Sequence, residues 1–195
     1  MGKQENHGHL LKSISILLLS LVAFLLIFAI FIKIDDYEKK SFKIDINYET
    51  NNNIELVTKL PISDSIAKNY TGKGIEKGIA EYKPFTISNP NSKKIEYEIF
   101  LTKSVNGVED IRSNYIKLYL TDGNDNPVKG FESNIVKSYY DLYSLSDMPG
   151  SKLLYTGSLL PGETDSFILR SWLADSYIIT QKVEDFNYSI DVRIK

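Results

Sequence analysis

The sequence predicts an all-β domain, a two-sheet sandwich of immunoglobulin-like or jelly-roll-like layering, set behind a single N-terminal transmembrane helix. Three observations carry this expectation. Residues 14–32 read ISILLLSLVAFLLIFAIFI, nineteen residues without a charge and with Ser15 and Ser20 as the only polar side chains. From Phe42 onward the apolar period changes to two, and short alternating runs recur between polar turns. The composition suits strands as well: 13 Tyr and 14 Asn stand against five Ala.

The apolar run organises the N-terminus. As an α-helix it covers roughly 28 Å, close to the hydrocarbon thickness of a bilayer. Its backbone amides are satisfied within the helix, which is what a lipid environment demands. Residues 1–13 form a short polar tail ahead of it, and residues 33–41 form a charged juxtamembrane linker. The run is longer than a cleavable signal core and ends in Phe28-Ala29-Ile30-Phe31-Ile32-Lys33, without small residues at alternate positions. An uncleaved signal-anchor is therefore expected. Lys3 and Lys12 lie before the helix and Lys33, Lys39 and Lys40 after it, so basic charge barely separates the two ends. The short leading tail favours a single-pass cell-membrane protein whose C-terminal domain, residues 42–195, is extracytoplasmic.

Charge and cysteine count exclude several classes. Without Lys3, Lys12 and Glu5, the chain's 23 basic and 25 acidic residues become 21 against 24, interspersed as on an ordinary solvated surface. There is no basic block for nucleic acid. The absence of Cys removes thiol catalysis, thiolate metal sites, disulfides and lipidation at Cys. A Cys-free exported domain fits a bacterial envelope better than an animal secreted protein.

Taken in order, Phe42, Ile44, Ile46 and Tyr48 define a strand with one dry face. The turn Asn51-Asn52-Asn53 leads to a second strand from Ile54 to Leu60, and the pair reads as a hairpin. Residues 63–70 suggest a short helical turn. Gly72, Gly74 and Gly78 follow in a stretch that lacks the strand–turn–helix context of a phosphate loop. Phe85 and Ile87, the turn Asn89-Pro90-Asn91-Ser92, then Ile95, Tyr97, Ile99 and Leu101 read as strand, turn, strand, with Glu96 and Glu98 facing the other way. A turn is expected at residues 106–110 and a strand through Ile116, Leu118 and Leu120. Asp122, Asn124 and Asn126 have the alternate spacing that opens a calcium loop. Pro127 and Ser133, however, stand where that loop requires Gly and Glu, so a structural turn is expected. Residues 135–145 fit either a helical face or two strand faces. Strands follow from Leu153 toward Leu160 and from Phe167 onward. The last, Phe186, Tyr188, Ile190, Val192 and Ile194, alternates to the end of the chain and is expected to tie it into the sheet.

Two stretches, YKPFTISNPNSKKIEYEIFLT at residues 82–102 and YTGSLLPGETDSFILRSWLAD at residues 155–175, give the chain a further likeness. It resembles small surface β-sandwich proteins of Gram-positive bacteria in the camelysin and TasA-like biofilm-matrix group. The resemblance implies export, a jelly-roll-like sandwich and, in some members, fibre assembly. Members often carry cleavable signal peptides, whereas this chain is expected to keep its helix.

Catalytic chemistry is not signalled. The only histidines, His7 and His9, precede the apolar run, so the domain has no imidazole base. Glu96 and Glu98 are more simply solvent-facing charges. The expectation is a non-catalytic, membrane-tethered module acting through protein–protein contact or self-association, with no cofactor, metal or nucleic acid. The alternatives are a small envelope hydrolase using carboxylates, hydroxyls and Lys, or an accessory subunit of a membrane complex. Candidate contact residues are the cluster Tyr139, Tyr140 and Tyr143, with Arg170, Trp172 and Tyr177. Trp172, the lone tryptophan, can equally be a core anchor, and Arg170 can equally pair across the sheet.

Overall fold

The structure, a computed structural model, describes residues 3–56, 59–72, 78–103, 113–178 and 187–195, with side chains for residues 14–33 and from 42 onward except Asn134. The chain divides into two units, Met1–Phe42 and Lys43–Lys195. The first is helix α1, Lys3–Ser41. Its window Ile14–Lys33 is long and apolar enough to cross a membrane, and none of it is buried against protein. Of the two hydroxyls in that window, Ser15 and Ser20, the second is satisfied locally, since Ser20 Oγ donates to the Leu17 carbonyl at 2.8 Å.

The second unit is a sandwich of two antiparallel five-stranded sheets packed against each other. Its strands are β1 (Asp45–Tyr48), β2 (Asn53–Glu55), β3 (Ala80–Ser88), β4 (Ile95–Lys103), β5 (Ile116–Asp122), β6 (Lys137–Ser138), β7 (Tyr143–Ser144), β8 (Ser151–Leu159), β9 (Thr164–Leu173) and β10 (Asn187–Ile194). One sheet has the order β1-β3-β9-β5-β6 and the other β2-β10-β4-β8-β7. A single helical turn, α2 (Asp64–Ala67), lies between β2 and β3, as the sequence suggests. Among the described strands, only the steps β5–β6 and β7–β8 stay within one sheet, and every other connection crosses to the opposite layer.

This crossing corrects two readings. β1 and β2 are not a hairpin: β1 pairs with β3, whereas β2 pairs with β10 in the other sheet. The short Asn-rich turn joins the layers, and Tyr48 Oη donates across to the Ile190 carbonyl at 2.7 Å. β2 is also shorter than the sequence suggests, ending at Glu55, and residues 57–58 lie outside the described set. The Asn89 turn likewise is a corner between sheets. Asn89 is 1% exposed, and its Nδ2 donates to the carbonyls of Lys93 and Leu159. Its backbone NH donates to the Glu163 carbonyl, and its own carbonyl accepts from the Gly162 NH. The corner after β3 is thus clamped to the corner after β8, which directs β4 and β9 into opposite layers.

The core follows the alternation. Phe85 and Ile87 of β3, Leu118 and Leu120 of β5 and Leu169 of β9 are buried, as are Tyr97, Ile99 and Leu101 of β4 and Ile190 of β10. Each such burial contributes about 1.5–3 kcal/mol. Phe167 stacks on Phe85 at 5.5 Å and meets Tyr155 at 5.4 Å and Tyr97 at 6.4 Å, joining the two layers through aromatic rings. β10 lies between β2 and β4 and holds the last residues within a sheet. The expected start of that strand at Phe186, the turn at 106–110 and Gly74 fall outside the described residues.

Glu98 corrects the solvent-facing reading. It is 6% exposed, because Arg193, opposite it on β10, donates Nε to its carboxylate at 2.7 Å. Arg193 Nη1 also donates to Asp147 at 2.6 Å, and its guanidinium covers buried Phe100. A side chain at a polar position of the pattern is therefore closed in by a partner 95 residues away.

Candidate interaction surface

The six candidate residues do not form one surface. Trp172 is fully buried and its indole Nε1 donates to Asp64 at 3.0 Å. α2 and its flanks lie over the outer face of the β1–β3–β9–β5–β6 sheet, and Ile62 bridges Ala174 at the end of β9. Trp172 is therefore a core anchor, and the contact role offered for it is withdrawn because no face of its ring reaches solvent.

Arg170 is 2% exposed. Its Nε donates to the Tyr70 carbonyl at 2.7 Å, Nη1 to Thr121 Oγ1 at 3.2 Å and Nη2 to Asp125 at 2.6 Å. The guanidinium also sits 5.2 Å from the Tyr82 ring centroid, a cation–π arrangement. It pins both the α2 segment and the loop after β5 to the sheet, so it pairs within the fold and does not face a partner. A cleft of about 410 Å³ adjoins it, edged by Ser65, Lys68, Asn69 and Asp125. Asp125 adopts φ 65°, a left-handed conformation that Asp tolerates.

Residues 135–145 are neither a helix nor two ordinary strands. β6 and β7 are two-residue edge strands in opposite sheets, joined by a 3₁₀ turn, Tyr139–Asp141. The turn follows from Ser138-Tyr139-Tyr140-Asp141, a capping box: Asp141 accepts from the Ser138 NH at 3.0 Å and from its hydroxyl at 2.6 Å. Those bonds, the hydroxyl's first, hold the Asp141 carboxyl below its ordinary pKa. The turn separates the tyrosines. Tyr139 points inward, 6% exposed, with its ring 4.4 Å from that of Tyr188. Tyr140 and Tyr143 point out, at 69% and 71% exposure. Tyr177 is half-buried, with its ring 5.5 Å from Tyr115.

Lys152 is the residue that sequence reasoning missed. Its Nζ donates to the carbonyls of Tyr139 and Tyr140 at 3.0 and 3.1 Å and lies 4.8 Å from the Tyr139 ring. Desolvation lowers its pKa, and the Asp141 charge opposes that shift. The capping box was a visible signal for the turn, but nothing near Lys152 in sequence announced this contact. Beside Tyr143, a cavity of about 440 Å³ is lined by residues including Lys129, Lys137, Leu153 and Thr156.

Two acidic groups in the domain's grooves, Asp122 and Asp165, are engaged. Asp122 accepts from the Asn124 NH at 2.8 Å, the Asn126 NH at 2.9 Å and the Asn126 side-chain amide at 3.0 Å. Desolvation of Asp122 raises its pKa, yet these bonds win and the net direction is down. Residues 122–127 are a self-satisfied turn. Asp165 accepts from Tyr97 Oη at 2.6 Å. Burial, then that bond, raises the Tyr97 phenol far above its ordinary pKa. Among the described residues no group of three His, Asp or Glu side chains is placed to hold a metal ion.

The geometry defines an all-β sandwich domain in a chain whose N-terminal helix can span a bilayer. No family model, curated protein or solved structure matches the chain.

Proposed function

We propose that the chain is a single-pass, membrane-tethered surface module that works by protein–protein contact and not by catalysis. The observation that carries this reading is the pair Tyr140 and Tyr143, two large aromatic side chains more than two-thirds exposed on a braced connector. Tyrosines suit recognition because they offer broad amphipathic contact area at little cost in side-chain freedom. The capping box and the Lys152 clamp hold the connector's backbone in place.

α1 fixes the module to the membrane, with the sandwich outside. Full-length protein crosslinked in intact cells should capture a specific envelope protein or a further copy of itself. Capture should fail for a Y140S/Y143S variant whose thermal melt is unchanged, because substitutions at such exposed positions cost within about 0.5 kcal/mol. Turnover by the purified full chain, abolished by a single Asp, Glu, Ser or Lys substitution, would replace this reading with the hydrolase alternative. Protease added outside intact cells should remove the sandwich, and full protection would reverse the orientation.

A further inference from the structure

We infer that two copies of this chain pair edge to edge through β8, antiparallel about Gly157. The inference rests on the contact-module reading and names its partner as a second copy. β8 has nine residues and pairs with β4 on both sides of a bulge at Leu154, but on its other side only Lys152 and Leu153 meet β7. Beyond residue 153 that side has no neighbouring strand among the described residues. Lys195 NH donates to the Glu96 carbonyl at 2.9 Å, so the Glu96 backbone faces away from β8. In an antiparallel ladder the direction alternates, so Ile95, Tyr97 and Ile99 are the β4 residues bonded to β8. Their partners Leu159, Gly157 and Tyr155 use their groups inward. Thr156 and Ser158 therefore turn their NH and carbonyl groups outward at the open edge, and both residues are exposed.

Natural sheet edges are blunted by Lys, Pro, charge, bulges or brevity. The other edges here follow that rule: β1 carries Asp45, β2 has three residues, and β6 and β7 have two each. Beyond its bulge, β8 from Tyr155 to Leu159 pairs regularly and contains neither a charge nor a proline. Gly157 cannot take a larger residue, since a Cβ there would collide with the Tyr97 phenol. The exposed edge is thus flat at its centre.

Charge selects a second copy as the occupant. At one end of the open stretch, Leu153 and Leu154 border a groove with two basic residues, Lys129 and Lys137, against one acidic residue, Asp141. At the other end, Ser158 borders a groove with two acidic residues, Glu96 and Asp165, against Lys195, and Tyr155 and Thr156 between the ends line both grooves. A twofold axis through Gly157 places the basic end of each edge against the acidic end of its mate. It also sets Thr156 opposite Ser158 of the second copy as a hydrogen-bonded pair, and the reverse, with no like charges opposed. A shared bilayer would raise the effective concentration of two tethered chains, so a short ladder suffices.

The chain has no cysteine, so engineered thiols would be unique. Full-length T156C and S158C would be reconstituted together, and each alone, in lipid vesicles and oxidised. Hydrogen-bonded antiparallel partners have Cα atoms about 5.5 Å apart, within disulfide range, whereas same-residue pairs sit on the diagonal at about 7–8 Å. The mixture should give covalent dimer at least about fivefold in excess of either variant alone. A Thr156→Pro change removes an outward NH and no internal ladder bond, so it should abolish dimer while leaving the circular dichroism spectrum unchanged. Equal crosslinking in all three samples, or a monomer throughout, would overturn the inference whether or not T156P folds. A monomer that still captures another protein through Tyr140 and Tyr143 would sink self-pairing alone. A dimer with an unrelated turnover activity would sink the contact-module reading alone.

Discussion

Arg170 and Asp125 offer a test of how the outer face of the β1–β3–β9–β5–β6 sheet is held. The pair is asymmetric: the guanidinium side chain is 2% exposed and the carboxylate 61%, at 2.6 Å. Asp125→Asn keeps the side chain's shape and its tolerance for left-handed φ, and removes only the charge. A charge-assisted bond is worth about 1.5–3 kcal/mol, roughly twice a neutral one, so weakening it alone costs about 1 kcal/mol. The buried guanidinium also loses its only anionic partner at bonding distance among the described residues. Losing one partner of a fully buried pair costs about 3–5 kcal/mol, and solvent at Asp125 moderates that here. The expected total is about 2 kcal/mol. In an Arg170→Met background the same Asp125→Asn change should cost nearly nothing, giving a coupling of about 2 kcal/mol. Urea denaturation of the full chain in detergent, followed by fluorescence of buried Trp172, reads both stabilities. A cost below about 0.5 kcal/mol in the wild-type background would refute the dependence of Arg170 on this carboxylate.

Gly157→Ala should cost about 3–5 kcal/mol, combining overpacking against Tyr97 with loss of its bond to Asp165, as measured by urea melts. Prior substitution of Tyr97 by Leu should remove most of that cost, and an undiminished cost would place the strain elsewhere. Burial, aided by Asp191, pushes the Tyr48 phenol up to about 12, and burial likewise raises Tyr97 and Tyr139. Raised folded-state values mean that this stabilisation is fully present below the unfolded tyrosine pKa near 10 and is lost as pH rises through the folded values. Stability should therefore fall above about pH 10, by as much as about 1.4 kcal/mol per pH unit for each withheld tyrosine. Absorbance titration at alkaline pH should show these phenols ionising only with unfolding. Normal titration of every tyrosine in the folded chain would contradict the burial argument.

The fold class was legible because period-two alternation is a local property. Ile95, Tyr97, Ile99 and Leu101 announced a strand with one dry face, and the structure buries all four. Which strands share a sheet was not legible, since that depends on partners far away in sequence. Local reading joined β1 to β2, whereas the pairing of Tyr188 with Ile54 draws β2 into the other layer. Burial of polar positions was hidden for the same reason: Glu98 looks solvent-facing until Arg193 arrives, and Arg170 until Tyr70 and Asp125 do. The tyrosine cluster was visible in composition. Its division into one inward and two outward rings required the 3₁₀ turn, for which Ser138 and Asp141 were the readable signal.

These buried charges bear on where such a domain can make contacts. A sandwich has two outer faces, two lateral edges and two ends. On one outer face the α2 segment and the loop after β5 cover Trp172 and Arg170 and leave a cleft edged by polar side chains. On the other, Arg193 spans Glu98 and Asp147 over Phe100, closing apolar surface beneath an ion network. An interaction that displaced either arrangement would strand a guanidinium or a carboxylate away from its partner, at a cost that contacts elsewhere avoid. Edges and connectors carry no such cost. Tyr140 and Tyr143 already extend into solvent, and the outward backbone groups of Thr156 and Ser158 gain hydrogen bonds without giving up any made within the domain.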